Sequence, residues 1–186
     1  MNSEYEKPAL LIIDMQKAFV EPGAAHCIAG AAATVPAINR AAEEARKKGI
    51  PVFWIRRQYR EDGSDVEFTR HDSWLKGGRT MAPGSSGLNS EELATGLHAE
   101  PGDYQIIKPR WSAFFQTELD MILRRLGIKT LFLAGTTTPN CVRTTCYDSI
   151  ALDYRTVILS MCCSSATEEI QKANLLDMAN IGAEIL

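Results

Sequence analysis

Short apolar runs alternate along this chain with stretches of helical spacing, and a glycine, a proline or a capping residue marks each change. Residues 9–13 are continuously apolar and end at Asp14, the pattern of a parallel strand buried on both faces with a polar residue at its carboxyl end. Thr34 followed by Pro36 predicts a helix start; Val35, Ile38, Ala42 and Ala45 give one apolar stripe, and Gly49 stops it. Further strands are expected over 51–55, over 104–108 ending at Lys108, over 128–134, over 156–159 and at 183–186. Ser112 is expected to cap a helix that turns Phe115, Leu119, Ile122, Leu123 and Leu126 to the core before Gly127. Two more helices are expected at 140–154 and 167–180. Such alternation makes βαβ units, so the expected fold is α/β: a three-layer αβα arrangement around six mostly parallel strands.

The pattern fails from residue 56 to 101, where glycines, prolines and scattered charges interrupt it. Structureless loops of that length are usually functional or contain short elements. A lid or subunit contact is expected here, with a short helix near 91–97.

Composition narrows the class. The 186 residues suit a single domain over 1–186, and 45% hydrophobic with 23% charged residues is ordinary globular composition. A formal charge of −3, with no basic run beyond Arg46-Lys47-Lys48, gives no nucleic-acid footprint. No stretch approaches the roughly 20 apolar residues that span a bilayer, and residues 1–8 lack the form of a signal peptide. Five cysteines, at 27, 141, 146, 162 and 163, show neither disulfide-framework nor zinc spacing; reduced thiols in a cytoplasm are expected.

In an open parallel sheet, ligands bind beyond the carboxyl ends of the strands. Asp14 and Lys108 end two of the expected strands, and Cys141 opens the helix after a third. A cysteine at a helix N-terminus is expected to have a lowered pKa, and the turn at 135–140 before it offers backbone amides for an oxyanion. A carboxylate can relay the thiol proton while an ammonium group holds that carboxylate. Each residue taken singly has a plainer explanation, as a cap, a solvated cation or a small buried thiol. Together they form a nucleophile, a base and its electrostatic partner.

Three segments carry a resemblance. They are Ala9-Leu-Leu-Ile-Ile-Asp14-Met-Gln16-Lys-Ala-Phe19, then Lys108-Pro-Arg-Trp111-Ser-Ala-Phe114, then Gly135-Thr-Thr-Thr138-Pro-Asn-Cys141-Val142 with Asp148. In that order they resemble the motifs of the isochorismatase-like hydrolases, over nearly the whole chain. The resemblance implies a Rossmann-like isochorismatase-type fold and a covalent acyl-cysteine intermediate. It gives Asp14 as base, Lys108 as its partner and Cys141 as nucleophile. It further implies a cis peptide between Thr136 and Thr137, and an oxyanion hole from the amides of Thr137 and Cys141. A homo-oligomer, dimer or tetramer, is implied as well.

Nicotinamidases of this superfamily bind a metal through an Asp-x-His and a further His after the second strand. Residues 54–59, Trp-Ile-Arg-Arg-Gln-Tyr, contain neither type, so no metal and no other cofactor is expected. Pro139-Asn140 and Met161 also depart from the usual order. Gln16, Phe19, Trp111 and Arg57 are candidate contacts for a small-molecule substrate, Arg57 through a carboxylate. The leading expectation is a metal-independent amidohydrolase cleaving a C–N bond of a small amide, carbamoyl or ureido compound. An ether hydrolase that needs no Cys141, and a silent homologue serving as a binding module, remain as alternatives.

Overall fold

The computed structural model describes residues 4–186; the first three residues of the 1–8 segment, read above as lacking a leader, lie outside the described residues. The strands are β1 (Pro8–Ile13), β2 (Val52–Arg57), β3 (Tyr104–Lys108), β4 (Thr130–Thr136), β5 (Arg155–Ser164) and β6 (Glu184–Ile185). They form one sheet in the order β3-β2-β1-β4-β5-β6, with every pairing parallel. The helices are α1 (Lys17–Val20), α2 (Ala31–Lys47), α3 (His71–Lys76), α4 (Leu119–Arg125), α5 (Arg143–Ala151) and α6 (Glu168–Asn180).

Because side chains alternate across a strand, β1 feeds two cores. Leu11 and Ile13 pack with Phe53, Ile55 and Leu133 against Leu119 and Leu123 of α4, Cys146 of α5 and Met178 of α6. Leu10 and Ile12 pack with Trp54 and Phe132 against Ile38, Ala42 and Ala45 of α2. This explains the unbroken apolar run at 9–13: a strand covered on both faces has no polar side to show. The strand order reverses direction between β1 and β4, and a crevice at the carboxyl ends of those two strands is where such a sheet offers a site.

Several boundaries differ from the expectation for physical reasons. Helix α2 begins at Ala31, one turn before Thr34, whose hydroxyl donates to Ala31 O at 2.8 Å; Pro36 therefore lies inside the helix. Ser112 caps no helix. Its Oγ accepts from the Phe114 amide at 3.1 Å, while Thr117 Oγ1 donates to Ala113 O at 2.5 Å. Hydroxyls bonded so locally compete with the helical ladder, α4 starts only at Leu119, and Phe115 is 49% exposed rather than buried.

No helix forms at 91–97. That segment runs beside the start of α1, pairing Leu93 with Gln16 and donating from Ala94 N to Met15 O at 3.0 Å. The excursion's helical pieces are instead α3 and a 3-10 turn at Gly87–Asn89. The 140–154 helix divides into a π-helical turn, Thr138–Val142, followed by α5. β5 runs five residues past its expected end at 159, to Ser164. Among the described residues no helix is long and apolar enough to cross a membrane.

Candidate active site

Asp14 follows β1 with φ of +53°, a left-handed conformation that aspartate tolerates better than most residues. Its amide donates to Ile55 O at 2.8 Å, so the chain leaves β1 still tied to β2. The side chain is buried, 1% exposed; Oδ2 accepts from Lys108 Nζ at 2.8 Å, and Oδ1 has no hydrogen-bond partner among the described residues. Lys108, fully buried at the end of β3, also donates to Arg110 O at 2.9 Å. The ammonium is thus fixed between a carboxylate and a carbonyl. A buried ion pair of this kind is weak evidence for stability, since desolvation offsets the attraction, and it directs attention to function.

Cys141 sits in the π-helical turn, 5% exposed. Burial pushes its thiol up to about 12, and the Asp14 carboxylate adds to that rise against the opposing charges of Lys108 and Arg57. The expectation of a thiol lowered by a helix N-terminus is therefore corrected: at neutral pH the resting group is the protonated thiol. A carboxylate with an unoccupied oxygen beside a neutral thiol is an arrangement for general-base transfer at the moment of attack.

The turn before the cysteine is pinned to the end of β5. Thr137 Oγ1 and Thr138 Oγ1 donate to Ser164 O at 3.2 and 3.0 Å, and Ser164 Oγ donates to Thr136 Oγ1 at 2.9 Å. The Thr136–Thr137 peptide is cis. The Thr137 amide makes no hydrogen bond among the described residues. Asp14, Thr136, Thr137, Asn140 and Cys141 face one cavity of about 290 Å³, walled by Phe19, Trp111, Arg57 and the unforeseen His26 and Arg70. The His26 imidazole is held below the usual histidine range by burial and by the charges of Arg70 and Arg57.

Of the side chains named from the sequence, Phe19, Trp111 and Arg57 reach this cavity and Gln16 does not. The Gln16 amide braces the loops: Nε2 donates to Arg57 O and to Glu91 O, both at 2.8 Å, and Oε1 accepts from Arg57 N at 2.7 Å. Arg57 is buried, and its guanidinium is paired with Glu67, which also accepts from the Tyr59 hydroxyl at 2.8 Å. Burial would lower Arg57, but the surrounding groups, Tyr59, Cys141, Asp14 and Glu67, outweigh it and keep the cation charged.

Neither Glu67 nor Arg70 carries a sequence signal, since both lie in the aperiodic excursion. Glu67 has a consequence for stability. Burial raises its carboxyl, but Arg57 and Tyr59 more than compensate and hold it below the usual range. A depressed carboxylate stabilises the fold above its unfolded pKa, and that contribution disappears as pH falls through the folded value. Glu67→Gln should therefore cost about 3–5 kcal/mol at pH 7, the penalty of an unpaired buried guanidinium. The gap from wild type should narrow as pH falls below the ordinary glutamate range and close only as it passes the lowered folded value, measured by urea unfolding at several pH values. Equal stability at pH 7 would mean that the pair contributes nothing.

Among the described residues, no three His, Cys, Asp or Glu side chains stand together to hold a metal.

A family model described as the isochorismatase domain matches residues 8–186. The chain is 41% identical over 186 residues to a probable inactive nicotinamidase of Arabidopsis thaliana, covering 99% of this chain and 94% of that protein. It is 32% identical over 190 residues to a ureidoacrylate amidohydrolase of Azorhizobium caulinodans, covering 93% and 83%. The crystal structure of an isochorismatase family protein from Desulfovibrio vulgaris matches with a TM-score of 0.91 at 41% identity, covering 96% and 93%.

Proposed function

Because this chain belongs to the isochorismatase family, we propose that it hydrolyses the C–N bond of a small amide, carbamoyl or ureido compound through an acyl-Cys141 intermediate. The observation that carries this reading is the Asp14 carboxylate. Lys108 holds one of its oxygens, the other has no partner, and it faces the same cavity as Cys141.

In the reading, Asp14 Oδ1 takes the thiol proton as sulfur attacks the carbonyl carbon. The amides of Thr137 and Cys141 meet the developing oxyanion. Asp14 then returns the proton to the nitrogen as the C–N bond breaks and ammonia or an amine leaves. In the second half, a water gives its proton to Asp14 and attacks the thioester, and the thiolate leaves as a thiol with that proton. Lys108 keeps the carboxylate oriented throughout.

A second reading, a silent homologue that only binds, is favoured by the similarity to a probable inactive nicotinamidase. An ether hydrolase would also fit the family, and would not need the thiol. One experiment tests the amidohydrolase reading against both. The protein is mixed with a panel of primary amides, carbamoyl amino acids and ureides, ammonia release is followed, and samples quenched in acid are digested and their peptides weighed. Ammonia release with a mass increase on the Cys141 peptide is the expected outcome. The neutral resting thiol adds that iodoacetamide should label Cys141 slowly near pH 7, with labelling rising toward strongly alkaline pH. Absence of both ammonia and adduct across the panel would overturn the amidohydrolase reading and leave the silent homologue and the ether hydrolase.

A further inference from the structure

A second cavity opens beside the first. It measures about 410 Å³ and shares Phe19, Ala25, His26 and Arg70 with the pocket of Cys141, so the two lie side by side. The excursion builds its far walls from Tyr59, Val66, Trp74 and Met81. These aromatic rings are already held by their polar atoms. Trp74 Nε1 donates to Thr80 O at 2.9 Å, the Tyr59 hydroxyl donates to Glu67, and the two rings stand edge to face with centroids 6.0 Å apart. Gly63 lies so close behind the Trp74 ring that a Cβ there would strike it. The chamber is therefore preformed and offers a guest faces of rings and methyl groups. A polar guest would leave its own donors unpaired, whereas an apolar one would not.

The junction is different. Pairing removes most of the charge around the two cavities: Asp14 with Lys108, and Glu67 with Arg57. What remains is the guanidinium of Arg70, which lies over the Trp111 ring at 5.5 Å and makes no hydrogen bond or ion pair among the described residues. Arg57 and Arg70 both act on the one Glu67 carboxylate, so a net positive charge remains at the junction of the two cavities and selects an anion, and a guanidinium fits a carboxylate with two parallel hydrogen bonds.

We propose that this chamber is a second subsite, which takes an aromatic or branched aliphatic group of a substrate whose carboxylate is met by Arg70 while its amide or ureide lies at Cys141. The carboxylate role considered above for Arg57 passes to Arg70, because Arg57 is already neutralised. The inference rests on the hydrolase reading for the third of these contacts, but not for the other two.

The test uses N-carbamoyl-phenylalanine and N-carbamoylglycine, which share the ureide and the carboxylate and differ by one benzyl group. The carboxylate-free counterpart is N-carbamoyl-phenethylamine. Wild-type kcat/KM should favour the phenylalanine derivative over the glycine derivative by at least about tenfold, in line with burying one ring. Ser73→Phe, which fills the chamber from the exposed side of α3, should bring that ratio near one. Arg70→Met should weaken the phenylalanine derivative to the level of the phenethylamine derivative, with Arg70→Lys restoring part of the difference.

Calorimetric binding of the same three compounds to Cys141→Ala provides the reading that does not depend on chemistry. If nothing is hydrolysed, yet the phenylalanine derivative binds and Ser73→Phe removes that binding, the hydrolase reading fails and the subsite stands. Equal kcat/KM and equal binding for the phenylalanine and glycine derivatives would overturn the subsite. So would a preference that survives Ser73→Phe.

Discussion

Cys141→Ala should lower kcat for any hydrolysed amide by at least about a thousandfold, the scale on which removing a covalent nucleophile acts. Cys141→Ser should fare little better. A hydroxyl is harder to deprotonate than a thiol, and the burial that already raises the thiol would act on the alkoxide too. The alanine change should be mild for the fold, about 1 kcal/mol for one small buried group. Activity and melting temperature therefore separate cleanly.

Asp14→Asn is the informative companion. It should be comparably inactive because an amide accepts no proton. It should also be less stable, because Lys108 would keep a buried charge opposite a neutral group. Steady-state rates must accordingly be read with the folded fraction measured on the same sample. Retention of activity within tenfold in Cys141→Ala would remove the acyl intermediate and favour the ether-hydrolase chemistry that needs no thiol.

The second large effect falls on the backbone. Gly135 in β4 pairs with Ile13 of β1 and with Cys163 of β5, beside a break in register, at φ of +115°. A Cβ built there would lie on Ile13 O and 2.6 Å from Ile13 N. Backbone at the middle of a parallel sheet has nowhere to retreat, so Gly135→Ala combines overpacking with a strained φ. The expected outcome is a loss of about 4 kcal/mol or more, enough to leave most of the chain insoluble or unfolded on expression. Circular dichroism and urea unfolding of whatever remains soluble are the check. A variant melting within a few degrees of wild type would mean that β1 and β4 can separate there at little cost. The same glycine places Ile13, and hence Asp14, against the strand that leads into the cysteine turn.

How much of this was legible in the sequence depended on whether periodicity or chemistry spoke. The doubly covered strand at 9–13 announced itself by an unbroken apolar run, and Asp14, Lys108 and Cys141 by polar or nucleophilic residues at the carboxyl ends of strands and the start of a helix. The structure gathers Asp14 and Cys141 around one cavity, with Lys108 bonded to Asp14 from behind. Ser112 misled because a serine before an apolar stripe is as well suited to a local turn as to a cap. The end of β5 was missed because Ser160, Met161 and Ser164 interrupt its apolar pattern, although Ser164 proves to anchor the whole threonine turn. Gln16 looked like a free amide only because nothing local could show its three backbone partners, which come from β2 and the excursion. Glu67, Arg70 and the distal chamber were invisible for a related reason: an aperiodic segment reveals what it lines only when its tertiary path is known.

The central place of β1 in the sheet has a bearing on how the chain acquires reactivity during folding. Asp14 and Lys108 are 94 positions apart, and the strand between their strands must be in register before either side chain meets the other. Non-local pairing of this kind forms late, after the entropy of closing long loops has been overcome. A partly assembled chain, with α2 and the β1–β2 pair formed but β4 and β5 undocked, would carry an exposed Cys141 with no base and no turn to hold it. The shielding of that one thiol is thus a reporter on completion of the sheet. Its rate of becoming resistant to alkylation in a refolding experiment would time the last strand into place.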